Sequence, residues 1–187
     1  MKLGCILLAS GFGRRFGGNK LLLQVEGDSL ARRALAACPA ELFARRAVTS
    51  RFPELLALGA ASGWQPLLNT EAEEGVSAGI RLGMTAMEEM DGVLFAVCDQ
   101  PWLTPRSVAR LAQAFQQQPD RIVALSWQGR RGSPVLFPRD LFPALRALSG
   151  DTGGSAVIRQ HPHRLITVEA SSEKELLDID TADDLNP

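Results

Sequence analysis

Short apolar runs alternate with amphipathic stretches along the whole chain. Leu3–Leu8 and Gly92–Cys98 are unbroken apolar runs of strand length, and they predict fully buried strands. Arg46–Ser50, Gln65–Leu68, Ile122–Ser126 and Pro134–Phe137 read as further strands. Between them Ser29–Cys38, Pro53–Ala61, Val76–Met90, Thr104–Gln118 and Leu141–Leu148 carry the pattern of helices. Asp28 stands where the first helix wants an N-cap, and Thr104 followed by Pro105 opens the fourth. The polar, glycine-rich Gln128–Ser133 reads as a loop between two strands. This alternation predicts an α/β fold, a single three-layer α/β/α domain over residues 1–187 with a mostly parallel sheet covered on both faces. Ligands of such folds gather at the carboxyl ends of the strands. Leu8 and Cys98 both pass into polar segments at that edge.

Composition narrows the picture. The chain has 187 residues, 45% hydrophobic and 22% charged, as for an ordinary globular protein with a sizeable core. Its net charge of −1 does not favour a nucleic-acid or membrane partner. No apolar run approaches the length of a membrane span. The N-terminal run has a single lysine before it and is short for a signal peptide, so it reads as a strand and the expected location is the cytoplasm. Cys5, Cys38 and Cys98 lack metal-ligand spacing and read as buried, reduced thiols. His161 and His163 flank Pro162 with no third ligand in register. Of the 20 basic residues only Lys2, Lys20 and Lys174 are lysines.

Lys20 closes the most informative segment, Leu8-Ala9-Ser10-Gly11-Phe12-Gly13-Arg14-Arg15-Phe16-Gly17-Gly18-Asn19-Lys20. Glycines let backbone N–H groups approach an anion closely, and the cations neutralise it. A loop of this kind after the first strand is where a nucleotide's phosphates sit. It is not a P-loop, because Lys20 follows Asn19 and precedes Leu21. Nor is it a dinucleotide fingerprint, because Phe16 holds the third glycine's place. A second feature is Asp99, directly after the second buried strand, in Cys98-Asp99-Gln100-Pro101. A carboxylate there either holds Mg²⁺ beside a triphosphate or simply forms a turn before Pro101.

The first segment resembles the Leu-Ala-Ala-Gly-x-x-x-Arg-Met-Gly-x-x-Lys signature of MobA-like nucleotidyltransferases. Leu8, Ala9, Gly11, Arg15, Gly17 and Lys20 match in register, with Ser10 for the second Ala and Phe16 for Met. Asp99-Gln100-Pro101 resembles the Asp-x-Pro motif of the same family, whose Asp binds the metal. Leu177-Asp178-Ile179-Asp180-Thr181-Ala182-Asp183-Asp184 is similar to the Asp-Ile-Asp-Thr-Pro-Asp-Asp ending of molybdenum-cofactor cytidylyltransferases, with Ala182 for Pro. The resemblance implies a Rossmann-like, glycosyltransferase-A-like fold and a Mg²⁺ site built from Asp99 and Asp180. It also implies that Arg14, Arg15, Lys20 and the Leu8–Gly13 backbone hold the triphosphate, with Arg15, Lys20 and Asp99 as the catalytic groups.

Softer matches fill in the rest. Asn69 followed by Gly75, Ser77 and Gly79 resembles the family's stretch beside the base and ribose. Arg130 and Arg131 precede a Gly-x-Pro-Val-like segment, and Asp151 lies in a Gly-Asp-x-Gly motif. The resemblance assigns both to the acceptor side. Ser155 stands where that last motif has Arg, which removes a cation. The implied reaction joins CTP to molybdopterin and releases pyrophosphate, with a molybdenum hydroxylase as the downstream partner. Two other readings remain in view: a nucleotidyltransferase using GTP or another acceptor such as a sugar phosphate, and a non-catalytic carrier that inserts the finished cofactor. Ser10 bears on base choice, because the family has Gly there in guanylyl-transferring members and Ala in cytidylyl-transferring ones.

Overall fold

A computed structural model describes residues 1–11, 23–179 and 184 of the chain. Seven strands form one sheet in the order β5-β4-β1-β6-β8-β7-β9. These are β1 (Leu3–Leu8), β4 (Arg45–Ser50), β5 (Gln65–Leu68), β6 (Gly92–Val97), β7 (Ile122–Trp127), β8 (Arg130–Pro138) and β9 (Leu165–Glu169). β8 runs antiparallel to both of its neighbours, and the remaining pairs are parallel. A separate two-stranded hairpin, β2 (Gln24–Val25) with β3 (Asp28–Ser29), precedes the first helix.

The period-two rule sorts side chains between two cores. From β1, Leu3, Cys5 and Leu7 face one core, and Ile6 faces the other. Helices α1 (Leu30–Ala37), α2 (Pro53–Ala61) and α4 (Pro105–Gln117) cover the first face. Helices α3 (Val76–Met84), α5 (Phe142–Arg146) and α6 (Ser155–Gln160) cover the second. The result is the expected three-layer α/β/α arrangement. All three cysteines are buried, and none forms a disulfide. Burial pushes the Cys5 thiol well above its ordinary range, and the neighbouring Cys38 thiol adds to this.

Several element boundaries differ from the sequence expectation. Ser29, not Asp28, caps α1: its hydroxyl accepts from the Arg32 N–H at 3.3 Å, while Asp28 accepts from Ser29 N–H. The helix expected over 76–90 ends at Met84. Beyond it, Ala86, Met87 and Met90 donate three residues back, to Gly83, Met84 and Met87, so the chain continues as successive tight turns. Arg130–Ser133 is strand rather than loop, because β8 extends past its pairing with β6. The helix expected over 141–148 is shorter, Phe142–Arg146, after a 3₁₀ turn at Arg139–Leu141.

Candidate functional site

The chain moves from β1 to β4 to β5 in one direction and then returns to lay β6 on the other side of β1. That reversal makes a crevice at the carboxyl ends of β1 and β6. Register brings the strand ends level: Leu8 lies beside Thr49 on one side and Val97 on the other, and Ser50 lies beside Leu68. Two cavities open at this edge, of about 340 Å³ and about 430 Å³. Both are lined by Leu8, Val76, Val97 and Asp99. Asp99, half-buried at the end of β6, is thus a common wall residue of two adjoining chambers.

The smaller chamber is floored by polar groups from three strand ends. The Ser10 hydroxyl donates to the Thr49 carbonyl at 3.3 Å and accepts from Asn69 Nδ2 at 3.0 Å. Asn69 Oδ1 accepts from the Glu71 N–H. The Thr49 hydroxyl is fully buried beneath this floor and finds no partner among the described residues. Gly75 opens α3 at φ +102°, and a Cβ there would stand 2.7 Å from the Asp151 backbone. Only glycine serves there, on both counts. Asp151 uses this close approach to accept from the Val76 N–H at 3.3 Å, an N-terminal cap supplied from 75 residues away.

The larger chamber lies between β6 and β8. Phe95, Val135 and Phe137 give it apolar walls, with the two phenylalanine rings edge-to-face at 6.0 Å. Arg130 and Arg131 enter from β8, and Arg131 reaches Ser155 Oγ at 3.5 Å. The antiparallel course of β8 delivers this pair here: its amino-terminal half lies beyond the carboxyl end of β6. A cationic rim over an aromatic wall suits an anionic molecule that also carries a flat, apolar body.

The C-terminal segment closes this chamber. Glu175, buried to 1% exposure, accepts from the Thr104 N–H, the Thr104 hydroxyl and the Ser171 N–H. Three donors satisfy its buried charge. Ile179 then donates its N–H to the Asp99 carbonyl at 2.9 Å, with its side chain fully buried against Val25, Leu30, Leu23 and Trp102. Asp178, between these anchors, lines the larger chamber with Asp99 and Gln100. Gln100 is 3% exposed, and its Nε2 donates to Asp178 Oδ1 at 2.9 Å. Its Oε1 is buried and finds no donor among the described residues. A hydrogen bond to a charged acceptor contributes about 1.5–3 kcal/mol, and a buried unpaired carbonyl costs about 1–3 kcal/mol.

The expected nucleotide residues divide as follows. Leu8, Ser10, Gly11, Asn69, Gly75, Gly79 and Asp99 meet in the smaller chamber. Ala9 is buried behind it, its carbonyl accepting from Ser50 Oγ at 2.8 Å. Ser77 is turned away from the chamber: it is fully buried and accepts from Arg81. Arg130 and Arg131 line the larger chamber, whereas Asp151, assigned to the acceptor side, lines the smaller one. Gly13, Arg14, Arg15, Lys20 and Asp180 lie outside the described residues. Asp178, Gln100 and Thr49 went unrecognised in sequence. Asp178 and Gln100 were visible only as neighbours of the residues singled out in two motifs.

Two carboxylates with hard oxygen donors at a shared mouth fit Mg²⁺, which takes one or two carboxylates and completes its shell with phosphate oxygens and water. No helix among the described residues is long and apolar enough to cross a membrane.

Known proteins share both sequence and fold with this chain. Purine catabolism protein PucB of Bacillus subtilis (strain 168) is 28% identical over 200 residues, covering 96% of this chain and 92% of that protein. The nicotine blue oxidoreductase of Paenarthrobacter nicotinovorans is 27% identical over 197 residues, covering 96% and 93%. The crystal structure of Rv0371C from Mycobacterium tuberculosis, a complex with manganese, matches with a TM-score of 0.76 at 22% identity, covering 98% of this chain and 96% of that one. Residues 5–165 match the MobA-like NTP transferase domain, and the chain, an α/β protein with a crevice at the β1–β6 switch point, belongs to that family.

Proposed function

We propose that this chain, acting as one nucleotidyltransferase domain, transfers the cytidylyl group of CTP to the phosphate of molybdopterin and releases pyrophosphate, in the cytoplasm, for use by a molybdenum hydroxylase. The observation that carries this reading is the position of Asp99, shared by two chambers of different chemistry. The polar-floored chamber suits the nucleoside of CTP. The chamber with Arg130, Arg131 and the phenylalanine walls suits a phosphorylated heterocycle.

In this mechanism an acceptor phosphate oxygen attacks the α-phosphorus in line. A new P–O bond forms, the α–β anhydride bond breaks, and pyrophosphate leaves with the electron pair. The protein supplies positioning and charge neutralisation rather than a nucleophile. Asp99 and Asp180 would hold Mg²⁺, which neutralises charge on the phosphates when bound. The manganese complex of the Rv0371C relative supports a divalent cation in this fold. Lys20, Arg14 and Arg15, from the glycine loop, meet the β- and γ-phosphates. Arg130 and Arg131 hold the acceptor's phosphate and orient its oxygen. A capped α3 and the Asn69–Ser10 floor keep the base and ribose in one pose, so the α-phosphorus faces the larger chamber.

The test is pyrophosphate release with CTP, GTP, ATP and UTP, each with Mg²⁺, with and without molybdopterin. Release that needs both CTP and molybdopterin supports the reading. Release with another acceptor or base reassigns the substrate, and binding of the finished dinucleotide without any release makes the chain a carrier.

A further inference from the structure

We infer that Asp151 is a positioning residue: it clamps the 150–155 segment to the start of α3 and so holds the two chambers in one relative geometry, an inference that rests on the two-chamber reading above. The segment between α5 and α6 belongs to both walls. Asp151 lines the smaller chamber, and Gly153, Gly154 and Ser155 line the larger one. The first N–H groups of α3 have no acceptor within the helix. The first two both turn to this segment: the Val76 N–H donates to Asp151 Oδ1, and the Ser77 N–H donates to the Gly150 carbonyl, each at 3.3 Å. The missing Cβ of Gly75 is what lets the Asp151 backbone come this close. Further along, the segment rests on the aromatic wall, where a Cβ on Gly154 would stand 2.8 Å from the Phe137 ring. It is therefore wedged between α3, whose Val76 lines both chambers, and β8, whose Phe137 and Arg131 line the larger one. Arg131 meets Ser155 Oγ at the end of the same wedge. Asp151 does not itself line the larger chamber, and a carboxylate there would repel an acceptor phosphate. It acts instead through the backbone it holds. In-line transfer is sensitive to displacements of about 1 Å, and release of the clamp lets the wall that carries Ser155 move relative to the bound nucleotide.

Two measurements on the whole chain test this. The first is amide hydrogen exchange without substrate. Asp151→Ala is expected to speed exchange of the Val76 amide and of the 152–155 amides on the order of tenfold. Asp151→Asn keeps an acceptor of equal capping strength and should leave both unchanged. The second is pyrophosphate release with CTP, Mg²⁺ and molybdopterin, at a temperature where every variant is folded. Asp151→Ala should lower kcat by about 10–100-fold, with the KM for molybdopterin altered less. Asp151→Asn should restore turnover to within about twofold. Unchanged exchange in Asp151→Ala, or faster exchange with kcat intact, overturns the inference. If Asp151→Asn is as damaging as Asp151→Ala, the carboxylate is a direct substrate contact, and the inference is overturned in that case too. If the unaltered chain itself releases no pyrophosphate with CTP and molybdopterin, the functional reading falls and the inference with it.

Discussion

The Ile179 N–H donates to the Asp99 carbonyl at 2.9 Å, joining the end of the chain to the residue that both chambers share. This contact, the buried Ile179 side chain and the triply bonded Glu175 carboxylate hold the C-terminal segment across the larger chamber. Among the described residues the segment belongs to no sheet strand, and these contacts help to hold it in place.

Glu175→Ala is therefore expected to lower stability by about 1.5–3 kcal/mol, since it strands donors that now meet a charged acceptor. Glu175→Gln keeps an acceptor and should lose less. Urea unfolding reads the difference. Pyrophosphate release should fall in Glu175→Ala at temperatures where the protein stays folded, because Asp178 loses its place. An unfolding midpoint that does not move would show that the buried carboxylate does not anchor the segment.

Asp99→Asn tests the shared wall residue. It should reduce turnover on the order of 10²–10³-fold, the usual cost of removing a preorganised charge contact at a reacting phosphate. Near-ultraviolet circular dichroism should be unchanged, because Asp99 is half-buried at a strand end rather than in the core. Lys20→Ala should cost a similar factor if its ammonium meets the triphosphate. Near-normal turnover of either variant at saturating CTP and Mg²⁺ counts against the role given to it.

Acid stability has an identifiable contributor away from the site. Arg164 holds Asp140 through two bonds, at 2.6 and 3.0 Å, and keeps its carboxyl below the ordinary carboxylate range. A depressed folded pKa means the folded state releases this proton at a lower pH than the unfolded state does. Its stabilisation is complete above the unfolded carboxylate pKa of about 3.9 and is lost as pH falls through the lower folded value. The carboxylate is 61% exposed, so the effect stays within about 1 kcal/mol. Asp140→Asn should lower the thermal midpoint at pH 7 slightly and bring the two curves together below about pH 3.9. Curves that stay equally far apart at low pH would show that the pair does not titrate as argued.

Sequence patterning located elements whose burial is unambiguous and missed those set by context. β1 and α2 appear with the expected boundaries, since an apolar run marks the one and a proline at the first turn marks the other. β5 appears with its expected boundaries as well, although none of its positions is fully buried. α6 has six residues, too few to show a helical period. Arg130–Ser133 reads as loop because its polar residues face a chamber, although the backbone is strand. The same logic governs the site. Asp99 was legible because a carboxylate ending a buried strand is conspicuous. Ser77 falls off the chamber wall because residues four apart share a helix face: Gly75 and Gly79 line the chamber, and Ser77 between them is buried. Asp178 meeting Gln100 and Asp151 meeting Val76 depend on 78 and 75 residues of intervening fold, which no local pattern reveals.

Base choice is the last expectation, and it turns on Ser10. Its Cβ narrows the smaller chamber beside the β1 backbone, where a purine needs more room than cytosine. Its hydroxyl does separate work. By accepting from Asn69 Nδ2 at 3.0 Å it fixes an amide that lines the same chamber and is otherwise 3% exposed. The other partner, the Thr49 carbonyl, also accepts from the Ala9 N–H, so loss of the hydroxyl leaves only Asn69 in need of a new acceptor. Ser10→Ala and Ser10→Gly therefore separate the two contributions. Ser10→Ala keeps the Cβ and should keep a preference for CTP, with weaker binding overall. Ser10→Gly removes both and should shift the preference towards GTP. Steric discrimination of this size is about 1–3 kcal/mol, or roughly ten- to two-hundredfold in relative affinity. Calorimetric titration of the unaltered chain and both variants with CTP and GTP, in Mg²⁺, measures the ratios directly. Equal affinities for the two nucleotides in the unaltered chain, or tighter GTP, would overturn the cytidylyl assignment and leave the nucleotidyltransferase family intact. An unchanged ratio in Ser10→Gly would move the source of selectivity to the Asn69–Gly79 side of the chamber.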